Sequence, residues 1–104
     1  MKARYLPEAD EELHAEADYL EDESPGTGMD FVRCVREKLR RIRSQPSLYS
    51  PVEPPVRGRE VREAILNPFN LRVVYEVRAA EILVVAIAHN RRRPRYWRSR
   101  LRNA

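Results

Sequence analysis

Apolar positions recur along this chain with two different periods, and the change from one to the other divides it into a helical first half and a stranded second half. Ala9, Leu13, Ala17 and Leu20 are spaced as one face of a helix. Pro7 suits the first helical position, where its missing N–H is not needed, and Glu8, Asp10, Glu11 and Glu12 follow at the positive end of the macrodipole. The pattern predicts a first helix from Pro7 to about Asp22. Phe31, Val32, Val35, Leu39 and Ile42 form a second stripe, with Ser24-Pro25 as its start signal and Arg40, Arg41 and Arg43 at its negative end. A second helix to about Ser44 follows.

From Gln45 to Gly58, the prolines Pro46, Pro51, Pro54 and Pro55 exclude regular structure and make a long loop. Beyond it the period falls to two. Arg59–Leu66, Leu71–Arg78 and Glu81–His89 read as strands, parted by Asn67-Pro68-Phe69-Asn70 and by a tight connection at Ala79-Ala80. In the middle strand Leu71, Val73, Tyr75 and Val77 share one face, while Arg72, Val74, Glu76 and Arg78 share the other. The run from Ile82 to Ala88 is apolar on both faces, as suits a central strand. With Lys2–Leu6 as a short first strand, the expected fold is α+β: a mainly antiparallel four-stranded sheet with two N-terminal helices packed on one face. Leu13, Leu20, Phe31, Val35, Leu39 and Ile42 are expected to pack there on Val73, Tyr75, Ile82 and Val84, leaving the other face partly open.

Length adds one constraint, since 104 residues suffice for one domain, residues 1–104, with a single core. No apolar stretch approaches the ~20 residues needed to span a bilayer, so no membrane partner is expected. Met1-Lys2 does not open a secretory leader, and Cys34 is alone, so neither an intrachain disulfide nor a cysteine cluster for zinc can form. A cytoplasmic location, no metal and no cofactor are the expectations.

Charge sharpens the picture. The first thirty residues carry ten acids against Lys2 and Arg4, and the remainder carries eighteen basic groups against six acids. Eighteen of the twenty basic residues are arginine, whose planar fork pairs with phosphate or carboxylate in bidentate geometry. Such a basic surface fits RNA, DNA or an acidic protein as partner, although a bias towards arginine codons gives the same composition. The end of the last strand concentrates these groups in His89-Asn90-Arg91-Arg92-Arg93-Pro94-Arg95-Tyr96-Trp97-Arg98. Arg72 and Arg78 on the open sheet face, with His89 at the end of the next strand, are expected to converge with the tail arginines into a phosphate site.

Several short motifs, in order, carry a resemblance over nearly the whole chain. They are Pro7-Glu8-Ala9-x-x-x-Leu13, Pro46-x-x-Tyr49, Arg62-Glu63-Ala64, the strand Leu71-Arg72-Val73-Val74-Tyr75-Glu76-Val77, and the ending Val85-x-x-x-His89-x-Arg91-Arg92-x-Pro94-x-Tyr96-Trp97-x-x-Arg100. Together they resemble the RelE/ParE superfamily of toxins from bacterial type II toxin–antitoxin systems, the plasmid stabilisation proteins. The resemblance implies a small sheet backed by two N-terminal helices, a growth-inhibiting toxin, and a hetero-oligomer with a cognate antitoxin. It leaves two mechanisms: RelE-like members cleave mRNA, usually on the ribosome and without metal, whereas ParE-like members inhibit DNA gyrase and cut nothing.

Metal-free cleavage by the substrate's 2′-hydroxyl needs a base, an acid and cations for the phosphorane, each acid or base contributing on the order of 10²–10⁴-fold. His89 suits the base or acid and sits where several RelE-like nucleases carry a histidine. Arg72 fits a phosphate clamp, and Glu63 a group that orients or deprotonates. Arg62, Arg78, Arg91, Arg92, Arg93 and Tyr96 are candidates for RNA or partner binding, and Trp97 is expected to close the core. A strand-end histidine that caps, and arginines that only form salt bridges, are the plain alternatives for these residues. The lysine pair or triad that ribosome-dependent RelE nucleases carry after the second helix is missing, since Lys38, within that helix, is the only lysine beyond residue 2. On this reading an endoribonuclease toxin is preferred over a gyrase inhibitor or a partner-binding relative without toxicity.

Overall fold

The computed structural model describes residues 1–104. In chain order these form β1 (Lys2–Tyr5), α1 (Pro7–Glu23), α2 (Thr27–Ser44), β2 (Ser50–Pro51), β3 (Val61–Leu66), β4 (Leu71–Val77), β5 (Glu81–His89) and a 3₁₀ helix at Arg98–Asn103. The strands lie side by side as β1-β5-β4-β3-β2, antiparallel throughout except for the parallel β1–β5 pair. The fold is the expected α+β arrangement with five strands instead of four. The extra one comes from the proline-rich loop, where Ser50 and Pro51 pair with Glu63 and Arg62. Proline is tolerated because β2 is the sheet's outer edge and pairs on one side only.

The turn between the helices departs from the sequence signal at Ser24-Pro25. Gly26 takes a left-handed backbone at φ 93° as the N-cap, and α2 starts at Thr27. No side chain of the cap itself serves the free amides. Instead Glu21, on the last turn of α1, accepts the N–H of Gly26 at 2.9 Å and of Gly28 at 3.1 Å. Gly28 is where the helices touch: a Cβ there would stand 2.5 Å from the Ala17 carbonyl oxygen.

α2 supplies the larger share of the helical core, through fully buried Phe31, Val35 and Ile42 and nearly buried Leu39. Phe31 meets the ring of Phe69 edge-on at 5.3 Å. On α1 only Ala9 is fully buried, while Leu13 and Leu20 pack against the core half-buried. The Tyr75 hydroxyl donates to the Pro46 carbonyl at 2.7 Å, tying the sheet's helical face to the end of α2.

The opposite sheet face is largely covered, contrary to expectation. Val74, Leu83 and Ala86 are solvent-free, and Glu76 is buried with Arg78 at 2.9 Å and Arg59 at 3.5 Å on its carboxylate. Val52 and Trp97 share a cavity wall with Glu63, Arg72 and Ala88, which places the loop and the tail over this face. Trp97 and Leu101 are buried there as a second, smaller hydrophobic layer. The double-sided apolar run of β5 fits a strand covered on both sides. No helix is long and apolar enough to cross a membrane.

Candidate functional site

Alternation along the sheet decides what meets at the end of β5. Arg72 stands opposite Ala88 and Ile65, on the face turned away from the helices. His89 stands opposite Leu71, one step out of phase, so its side chain starts from the helical face. Both reach the rim of one cavity of about 160 Å³, together with Glu63, Asn90, Arg92, Arg93, Arg95 and Tyr96. The candidates Glu63, Arg72, His89, Arg92, Arg93 and Tyr96 are thus brought together.

Within that cavity each nitrogen of Arg72 has a partner. Its Nη1 donates to both Glu63 carboxylate oxygens at 3.1 and 3.2 Å, and its Nε and Nη2 donate to Asn90 Oδ1 at 3.2 and 2.9 Å. His89 Nδ1 accepts the Arg91 backbone N–H at 3.1 Å, which places the proton of a neutral ring on Nε2. On this side it also borders a second cavity beside Glu12, Glu16 and Leu71.

The expected convergence with Arg78 does not occur. Arg78 follows the far end of β4, six residues or roughly 20 Å from Arg72, where it pairs with Glu76 and Glu81. Arg62 belongs to the helical face, opposite Tyr75, and donates to Glu60 at 2.8 Å and to the Tyr49 carbonyl at 2.7 Å. Arg91 is exposed and lines neither cavity.

Of the groups that hold the tail in place, Tyr96 was expected to bind RNA or a partner, and Glu12 and Arg100 were given no such role from sequence. Glu12 reaches from α1 to accept Arg100 Nη1 at 2.8 Å, Arg100 Nη2 at 2.9 Å, the Ile87 N–H at 3.1 Å and the Tyr96 hydroxyl. Burial alone would raise the Glu12 carboxyl, but the hydrogen bonds from Arg100 and Tyr96 outweigh it and hold it below the ordinary value. The Tyr96 hydroxyl is pushed far up, by burial first and then by its bond to Glu12. Arg92 and Arg100 lie over the Tyr96 ring at 4.0 and 5.0 Å, so the aromatic face is already taken by cations. One signal for Glu12 lies in its spacing, three residues after the buried Ala9 and so on the same side of the helix.

The model of the ParE toxin family of the type II toxin–antitoxin system parDE matches residues 3–94. The chain belongs to the ParE toxin family. It is therefore the toxin of a ParDE-type module, with an antitoxin as partner. A chain of the structure titled "Chromosomal ParDE TA system from P. aeruginosa" superposes with a TM-score of 0.71 at 19% identity, over 86% of this chain and 95% of that one. That likeness speaks to the fold, which it shares. No curated protein shows significant similarity to the chain. The family match does not support the endoribonuclease and RNA-binding expectations, since it falls to the branch for which the resemblance implied gyrase inhibition.

Proposed function

We propose that this ParE toxin arrests growth by inhibiting DNA gyrase and cleaves no RNA. One observation besides the family carries the reading: every nitrogen of the Arg72 guanidinium is bonded to Glu63 or Asn90. A clamp for a phosphorane must offer free N–H groups where charge develops. Arg72 has most of its five donors spent on Glu63 and Asn90, and His89 leaves its strand on the other side of the sheet from it. Glu63 faces the clamp but serves as its counter-ion, so the cavity does not set a free base beside a free clamp as 2′-hydroxyl chemistry needs. A protein-binding toxin requires no such pair.

Brief, tightly controlled expression, followed over the same minutes for plasmid supercoiling and for mRNA 5′ ends, tests this. Loss of supercoiling or gyrase-linked DNA breaks, with an unchanged set of 5′ ends, is the expected result. New 5′ ends that appear before any change in supercoiling would overturn the proposal in favour of mRNA cleavage.

A further inference from the structure

Behind the 3₁₀ helix lies a cleft of about 490 Å³ whose walls include Arg59, Arg93, Arg95, Arg98 and Arg102 and no acidic residue. The ion pairs of the molecule engage Arg4, Arg33, Arg59, Arg62, Arg72, Arg78 and Arg100. Four arginines of the cleft, Arg93, Arg95, Arg98 and Arg102, are therefore without a carboxylate. Like charges gathered in this way repel one another and need a counter-charge.

Arg95 stands apart among them on two independent grounds. Its Nε and Nη2 are sealed from water and have no hydrogen-bond partner. These two nitrogens form one edge of the guanidinium, the side-on fork that grips two oxygens of a single oxyanion. Leaving such donors buried and unpaired is costly, more so when they are charged. Its backbone is also left-handed, at φ 62°, a conformation that side-chain-bearing residues rarely adopt. Strain and an unmet fork at one residue point to a site completed by something else. Arg95 lies just beyond the residues matched by the family model, so that match assigns it nothing.

We propose that Arg95 anchors an oxyanion pocket that takes the carboxylate of a glutamate or aspartate on an acidic segment of a protein partner. The shape favours a protein carboxylate over a nucleic acid. The fork lies below the surface, where a carboxylate on a flexible stem can enter and a rigid duplex, with its phosphates fixed along the backbone, cannot. Val56 and Leu101 line the same cleft and give the stem an apolar wall. Tyr96, which borders the cleft, has arginines over its ring and offers no free face for stacking a base. Arg93 and Arg98, exposed at the rim, supply the field that draws an acidic segment in. Entry to the fork, which is sealed from water, requires the side chains that cover it to move aside.

The test uses the purified full chain, hexaglutamate peptide and a short DNA duplex as probes. Hexaglutamate should move the Arg95 Nε–H resonance saturably. Arg95→Lys, which keeps the charge and loses the fork, should weaken hexaglutamate binding by about tenfold or more. Arg95→Gly removes the fork and suits the left-handed backbone, so it should lose the peptide while melting no lower than wild type. A stable Arg95→Gly variant keeps the test decisive where Arg95→Lys folds poorly. The proposal is overturned by an Arg95 Nε–H signal that stays fixed, by wild-type affinity in Arg95→Lys, or by a duplex that binds more tightly than the peptide through Arg95. Gyrase inhibition is scored separately by supercoiling, so failure of either idea leaves the other standing.

Discussion

Glu12 and Arg100, 88 positions apart, meet in a two-pronged ion pair that pins the tail to the first helix. The contact is mostly shielded, with side-chain exposures of 14% for Arg100 and 17% for Glu12. Arg100 also donates to the Val85 carbonyl at 3.0 Å, and Glu12 also accepts the Ile87 N–H, so the pair bridges the irregular stretch of β5 as well. Arg100→Met should lower stability by about 2–3 kcal/mol, because it leaves a shielded carboxylate without its cation. The double variant Glu12→Gln with Arg100→Met should lose less than the two single variants added together. Strict additivity in denaturant melts would show that the two side chains do not interact.

The same carboxylate sets the acid limb of stability. Its folded pKa lies below the ordinary value of 4.5, so the unfolded chain binds the proton more readily. The stabilisation is therefore complete above about pH 4.5 and disappears as the pH falls through the lower, folded value. At the other extreme, burial pushes the Tyr75 hydroxyl from 10.0 up to about 12, and the Tyr5 hydroxyl likewise to about 12. For these acids the unfolded form gives up its proton first, so stability should decline as pH rises from 10 through 12. Melting temperature measured across pH should show both limbs, and Glu12→Gln should flatten the acid one.

Gly28 provides a test in which the sign is informative. Replacing a glycine inside an ordinary helix by alanine stabilises by about 1 kcal/mol. Here the new methyl would meet the Ala17 carbonyl at 2.5 Å and crowd the Glu21 side chain at 3.0 Å. Gly28→Ala should destabilise by about 1–3 kcal/mol, as overpacking does. A raised melting temperature would mean that the helices separate easily at this point.

The elements were legible wherever one local rule acted alone. The α2 stripe and the alternation of Leu71 to Val77 each follow from burial of one face, and both stand where the pattern put them. β2 was hidden because prolines argue against a strand, and only the neighbour beyond the loop, β3, makes an edge strand of Ser50 and Pro51. The start of α2 was hidden because its cap comes from Glu21 on the preceding helix. Site geometry was harder to see. The facing of Arg72 and His89 depends on a register between two strands, Leu71 against His89, that neither strand encodes. Glu12, Tyr96 and Arg100 meet across 84 to 88 positions, beyond any periodicity. The open sheet face failed as an expectation because Trp97, which was expected to close the core, does so with Leu101 on that face and not on the helical one.

The last expectation separates the two mechanisms at their residues. If no phosphate is held in the cavity beside β5, His89 and Arg72 have structural duties only. His89→Gln should then arrest growth as wild type does. Arg72→Gln releases Glu63 and Asn90 from their shared cation at a site that is about one-third exposed, 36% for Arg72 and 28% for Glu63. Solvent screens a pair in that position, so the loss should stay near or below about 1 kcal/mol. Growth arrest should again persist, and antitoxin binding should be unchanged. Cell growth, gyrase supercoiling and thermal melts of the two variants check this together. Loss of arrest in both variants, with melting and antitoxin binding intact, would mark His89 and Arg72 as groups acting on a substrate, which gyrase inhibition does not require of them.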